Sequence, residues 1–78
     1  MAVQRFDYPA PQDRRIGIKV RWFYYAEEED AKKAAEVARR EAPVREAQGY
    51  DFGYQSPGSI TKVMGASQYA GLWEVCLP

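Results

Sequence analysis

The chain has 78 residues and a formal net charge of zero, with 11 Lys and Arg set against 11 Asp and Glu; it has no histidine and one cysteine, Cys76. This length defines one domain, which buries only about 60% of the surface its unfolded form exposes and so has little stability in reserve. A lone Cys excludes an internal disulfide and a Cys-rich zinc site, and the absence of His removes the commonest general base. Neutrality excludes a nucleic-acid binder that works by bulk phosphate neutralisation.

The charge is nonetheless uneven: residues 1–25 carry +3, residues 26–49 carry −2 and the remainder −1. No apolar run has the ~18 residues that a membrane span requires, and the first residues do not read as a secretory signal. A cytoplasmic protein is expected. With so small a core and no disulfide or metal, self-association is a natural route to added stability.

In chain order, residues 1–14 read as a short first strand or a mobile arm, since Pro9 and Pro11 break the partial alternation of "AVQRFDY". Residues 16–25 alternate as one strand. Ile16, Ile18, Val20, Trp22 and Tyr24 fall on one face, expected to be the core; Gly17, Lys19, Arg21, Phe23 and Tyr25 fall on the other. Residues 27–42 form a helix whose inward stripe is Ala31, Ala34, Ala35, Ala38 and Ala42. Acidic residues fill its first turn and Arg39 and Arg40 its last, matching the helix dipole, and Glu28–Lys32, Glu29–Lys33 and Glu36–Arg40 are spaced for i,i+4 pairing.

Pro43 interrupts this helix or begins a short continuation, with Val44 and Ala47 inward and Gly49 as its C-terminal cap. "YDFGYQ" and "ITKVM" then flank a turn at Pro57-Gly58. Residues 65–71 are a glycine-bounded loop, and residues 72–77 a last strand with Trp73, Val75 and Leu77 inward. The order is (β)βαβββ: an α+β two-layer sandwich, one main helix on an antiparallel sheet of three to five strands.

No motif for catalysis, cofactor or metal stands in this sequence, and a non-enzymatic protein with no cofactor is expected. "DFG" at 51–53 lacks every companion motif of a kinase. "YDFGY" lacks the basic and aromatic pattern of an RNA-recognition strand, and its Asp51 would repel phosphate. "MGASQYAG" has no lysine to make a phosphate loop.

With one helix on one sheet face, the opposite face is expected to be the binding surface. On this reading Arg21, Phe23 and Tyr25 are its anchors, and Lys19 with Glu27, Glu28, Glu29 and Asp30 sets orientation and on-rate. Aromatic side chains beside arginine suit the centre of a protein interface. The expected partner is a larger protein, whose surface this chain would occlude. Single-stranded nucleic acid stacked on the same face is the less favoured alternative, and a homodimeric structural protein is a third. A further possibility is that the N-terminal arm, through Phe6 and Tyr8, closes this face. In size and make-up the chain resembles the small inhibitor and accessory proteins of phages and mobile elements, anti-CRISPR proteins among them. That resemblance is one of class and rests on no motif.

Overall fold

A computed structural model of the chain describes residues 8–16, 20–50, 52 and 56–78. Strands β1 (Asp13–Ile16) and β2 (Arg21–Tyr25) precede one long helix, α1 (Glu28–Ala47), and strands β3 (Ile60–Lys62) and β4 (Trp73–Leu77) follow it. The strands form one antiparallel sheet in the order β1-β2-β4-β3, with α1 across one face. The α+β class is as expected, but the strand pattern differs.

The stretch read as a single strand from 16 to 25 is two. β1 and β2 pair antiparallel with Ile16 opposite Arg21, so the chain reverses between them. Gly17, alone inside an apolar alternation, is the residue in the sequence that marks such a break. "YDFGYQ" lies largely outside the described residues. Phe52 within it is 6% exposed and packs with Val20 and Cys76. Residues 2–7 of the proposed first strand, Phe6 among them, also lie outside the described residues.

The face that meets the helix is fixed by β4. Its Val75 and Leu77 are fully buried against Ala31, Ala34, Ala35 and Ala38, with Trp73 packed beside them. Register places Phe23 opposite Val75 and Tyr25 opposite Trp73, and residues opposite one another share a face. Phe23 and Tyr25 are therefore core, 7% and 1% exposed. This corrects the expected parity of β2: Trp22 and Tyr24 point to the other side of the sheet. An all-alanine stripe brings the helix close but offers little apolar area, so β2 and β4 must supply the large side chains. The arm helps, because the Tyr8 ring lies 6.3 Å from that of Phe23 and Tyr25 donates a hydrogen bond to the Pro9 carbonyl at 3.1 Å.

The helix runs through Pro43 without ending. Proline has no N–H for the carbonyl one turn back, so this continuity is held by packing on both sides of the residue rather than by propensity. Val44 is partly buried, but Ala47 is exposed rather than inward. Gly49, at φ +96°, ends the helix as expected, its N–H donating to the Glu46 carbonyl at 2.9 Å. The turn at Pro57-Gly58 also holds. At Gly58 a Cβ would meet Arg39 Cγ at 2.6 Å and the Ala35 carbonyl oxygen at 3.2 Å, so only glycine lets the turn press against the helix.

Candidate functional site

The structure separates the residues expected to bind together. Phe23 and Tyr25 lie under the helix and cannot act as exposed anchors. Arg21 shares their face, half-buried at the margin of the sheet, where its Nη2 donates to the Pro78 carbonyl at 2.6 Å and its guanidinium sits 5.7 Å from the Phe23 ring. Burial first, then the nearby cations Arg45 and Arg14, hold its pKa below the ordinary value. Lys19 lies outside the described residues. Glu27, Glu28 and Glu29 are exposed and Asp30 partly so, at the start of α1. There Glu28 is paired with Lys32 at 2.9 Å, as the i,i+4 spacing implied.

An aromatic and cationic face exists all the same, built from the opposite parity. Alternation and register put Asp13 and Arg15 of β1, Trp22 and Tyr24 of β2, Glu74 of β4 and Thr61 of β3 on the side away from the helix. The Arg15 guanidinium lies 5.4 Å from the centre of the Trp22 ring and 3.8 Å from the Glu74 carboxylate. Tyr24 donates to Glu74 Oε2 at 2.8 Å. Over this group folds the loop 65–71, whose Tyr69 stacks on Tyr24 with ring centroids 4.0 Å apart and planes 7° from parallel. The outcome is graded exposure: Tyr24 is sealed, Trp22, Tyr69 and Glu74 are half-buried, and Arg15 stands in solvent. Phe52 clusters with Val20 and Cys76, with Trp22 and Ala42 of α1 packed against them.

Sequence reasoning missed Arg15, Trp22, Tyr69 and Glu74 as one group. Tyr69 carried the only local signal, a large aromatic in a glycine-bounded surface loop, where binding residues concentrate.

The chemistry of this face is that of contact. Burial, and then the Glu74 hydrogen bond, push the Tyr24 hydroxyl from the ordinary 10.0 up to about 12. Burial, and then the charge of Asp30, do the same to Tyr25, also to about 12. Both therefore stay neutral donors. In the unfolded chain these phenols release protons near 10.0, while the folded chain keeps them until about 12. Folding stability is thus present in full below the unfolded value and is lost as pH rises through that window. Thermal melts across this range should show a falling Tm, and Tyr24→Phe and Tyr25→Phe should each flatten the slope. Burial, followed by the charge of Glu74, raises the Cys76 thiol above its ordinary value, which keeps it an unreactive thiol.

Among the described residues, no group of three or more Cys, Asp and Glu is placed to hold a metal ion, and no helix is long and apolar enough to cross a membrane. Comparison with protein-family models, curated proteins and solved structures finds no match.

Proposed function

We propose that this chain is a small, non-enzymatic protein-binding module of the inhibitor or accessory kind, which docks the sheet face opposite its helix onto a larger protein and occludes part of that surface. The observation that supports this reading is the group of half-exposed Trp22 and Tyr69 with exposed Arg15 on the sheet face turned away from the face that packs on α1. Tyr, Trp and Arg are the residues that dominate binding energy at interface centres, and here Tyr69 is held by stacking on Tyr24 while Arg15 lies against the Trp22 ring and the Glu74 carboxylate before any partner arrives. The exposed acidic turn Glu27–Asp30 lies off this face and suits electrostatic steering of the encounter.

Single-stranded nucleic acid is the weaker occupant. Among the described residues of this face, Arg15 is the one cation, against the carboxylates of Asp13 and Glu74. Fluorescence anisotropy with single-stranded DNA and RNA at two salt concentrations should show no salt-sensitive binding at micromolar protein.

The direct test is affinity capture from the native host with the wild-type chain, followed by titration of the captured partner against variants. Arg15→Glu and Tyr69→Ser should each weaken binding by about 30-fold, the loss typical of a truncated anchor. Arg40→Glu, on the exposed surface of the helix, should bind as wild type. Unchanged affinity in both face variants would remove this face from consideration.

A further inference from the structure

The arm that leads into β1 is held in the way a docked peptide is held, not as a strand. In Tyr8–Pro11 every residue is either a proline or the residue before one, which keeps all of them in extended or polyproline II backbone. Pro9 and Pro11 have no N–H to offer a neighbouring strand. Among the described residues, the first backbone bond of this region comes at Gln12, whose N–H donates to the Tyr24 carbonyl at 2.8 Å. Lifting residues 8–11 about Gln12 therefore breaks no ladder bond among the described residues. Openings of this kind lie at the low end of local unfolding free energies.

The segment sits in a slot between α1 and β2 and makes three contacts there. The Tyr8 ring packs against the core cluster, 6.3 Å from the Phe23 ring. Its hydroxyl donates to Glu41 Oε2, while the other oxygen of that carboxylate is taken by Arg45 Nε at 2.7 Å. One residue on, the Pro9 carbonyl accepts a hydrogen bond from the Tyr25 hydroxyl at 3.1 Å. Glu41 and Tyr25 are both 1% exposed. Buried polar atoms of this kind discriminate between a ligand that satisfies them and one that does not.

We infer that this slot is a peptide-binding site, filled in cis by the chain's own Tyr8–Pro11, and that its ligand in trans is an extended tyrosine–proline segment of another polypeptide. Aromatic-lined grooves bind proline-containing segments in this manner, because polyproline II backbone is ordered before it docks. The tyrosine ring fills the space beside Phe23, its hydroxyl completes Glu41, and the carbonyl of the following proline meets Tyr25. A phenylalanine in the same place leaves Glu41 Oε2 without its donor. The arm is then an internal competitor, acting at an effective concentration of roughly millimolar or above. A ligand in trans binds only the molecules whose arm has lifted, so weakening the arm tightens apparent binding by the same factor. The slot lies on the helix side of the sheet, so the inference goes beyond the docking reading and does not depend on it.

The test is an NMR titration of the isotope-labelled full chain with the peptide acetyl-YPAPQ-amide, read at the amides of Phe23, Tyr25 and Glu41. Wild type should bind weakly, with a Kd of roughly millimolar or above. Tyr8→Phe removes one hydrogen bond to a charged acceptor from the arm and should bind the peptide about tenfold more tightly than wild type, or better. Pro11→Gly removes none of the three contacts but frees the lifted arm, and should tighten binding severalfold. On Tyr8→Phe, acetyl-FPAPQ-amide should bind about tenfold more weakly than the tyrosine peptide, and the scrambled acetyl-PAYQP-amide should not bind. Arg15→Glu and Tyr69→Ser should leave these affinities unchanged, so this result and the docking result fail separately. Circular dichroism confirms that each variant is folded. If both folded arm variants bind the peptide no more tightly than wild type, opening of the arm is inseparable from unfolding and the inference is overturned. Equal binding of the tyrosine and phenylalanine peptides overturns it as well.

Discussion

Phe23→Ala is expected to cost about 3–5 kcal/mol of folding stability, the usual range for removing a buried phenylalanine. A chain this short sits toward the low end of the ~5–15 kcal/mol range of domain stabilities, so the variant should be largely unfolded or melt near room temperature. The reason lies in what surrounds the ring. Its neighbours across the layer are Ala31, Ala34, Ala35 and Ala38, whose single methyl groups cannot swing into a vacated space. Tyr8 lies against it from the arm, held by its own hydrogen bond to Glu41. The cavity therefore stays open and its full cost is felt. Phe23→Leu keeps most of the volume and should cost less than about 1.5 kcal/mol. Urea midpoints for the two variants decide the matter. If Phe23→Ala falls within about 0.5 kcal/mol of wild type, as surface substitutions do, Phe23 is not part of the core.

The opposite assignment followed from reading residues 16–25 as one strand. Within an unbroken alternation, Ile16 and Ile18 count toward the even-numbered face and tip the balance to Val20, Trp22 and Tyr24. Once the chain turns between β1 and β2, Ile16 pairs with Arg21 and no longer extends the alternation of β2, and Ile18 lies outside the described residues. What remains is Arg21, Phe23 and Tyr25 against Trp22 and Tyr24, with aromatics on both sides. Periodicity cannot separate them, because the sheet has one face against a helix and the other against a loop tyrosine. The decision belongs to β4, whose Trp73, Val75 and Leu77 were legible in the sequence as inward, and to the pairing register, which no local pattern reveals. The helix, its alanine stripe, the Gly49 cap and the 65–71 loop were all readable because each has a local physical cause. The Tyr69–Tyr24 stack and the Arg15–Glu74 contact were not, being products of tertiary placement.

Glu41 shows the same limit within the helix, where nothing in the local pattern marks it, yet it is only 1% exposed. Its two oxygens are both engaged: Arg45 Nε donates to Oε1 at 2.7 Å, and the Tyr8 hydroxyl donates to Oε2. Arg45 in turn lies 5.5 Å from the ring centre of Tyr50. A buried carboxylate left without its cation is costly, whereas the pair as a whole stabilises little, because desolvation offsets the attraction. Arg45→Ala is therefore expected to destabilise the fold by about 3 kcal/mol, at the low end of the range for breaking a buried pair, since the arginine side chain itself retains 22% exposure. Replacing all three partners, Glu41→Met, Arg45→Met and Tyr8→Phe, removes both charges together with the hydroxyl that donates to Glu41, leaves no orphaned polar group, and should cost less than half as much. Tyr8→Phe removes one hydrogen bond to a charged acceptor and should cost about 1.5–3 kcal/mol. Chemical denaturation of the wild type and these variants measures the differences. Equal losses in Arg45→Ala and the triple variant would mean that packing, and not an orphaned charge, carries the effect.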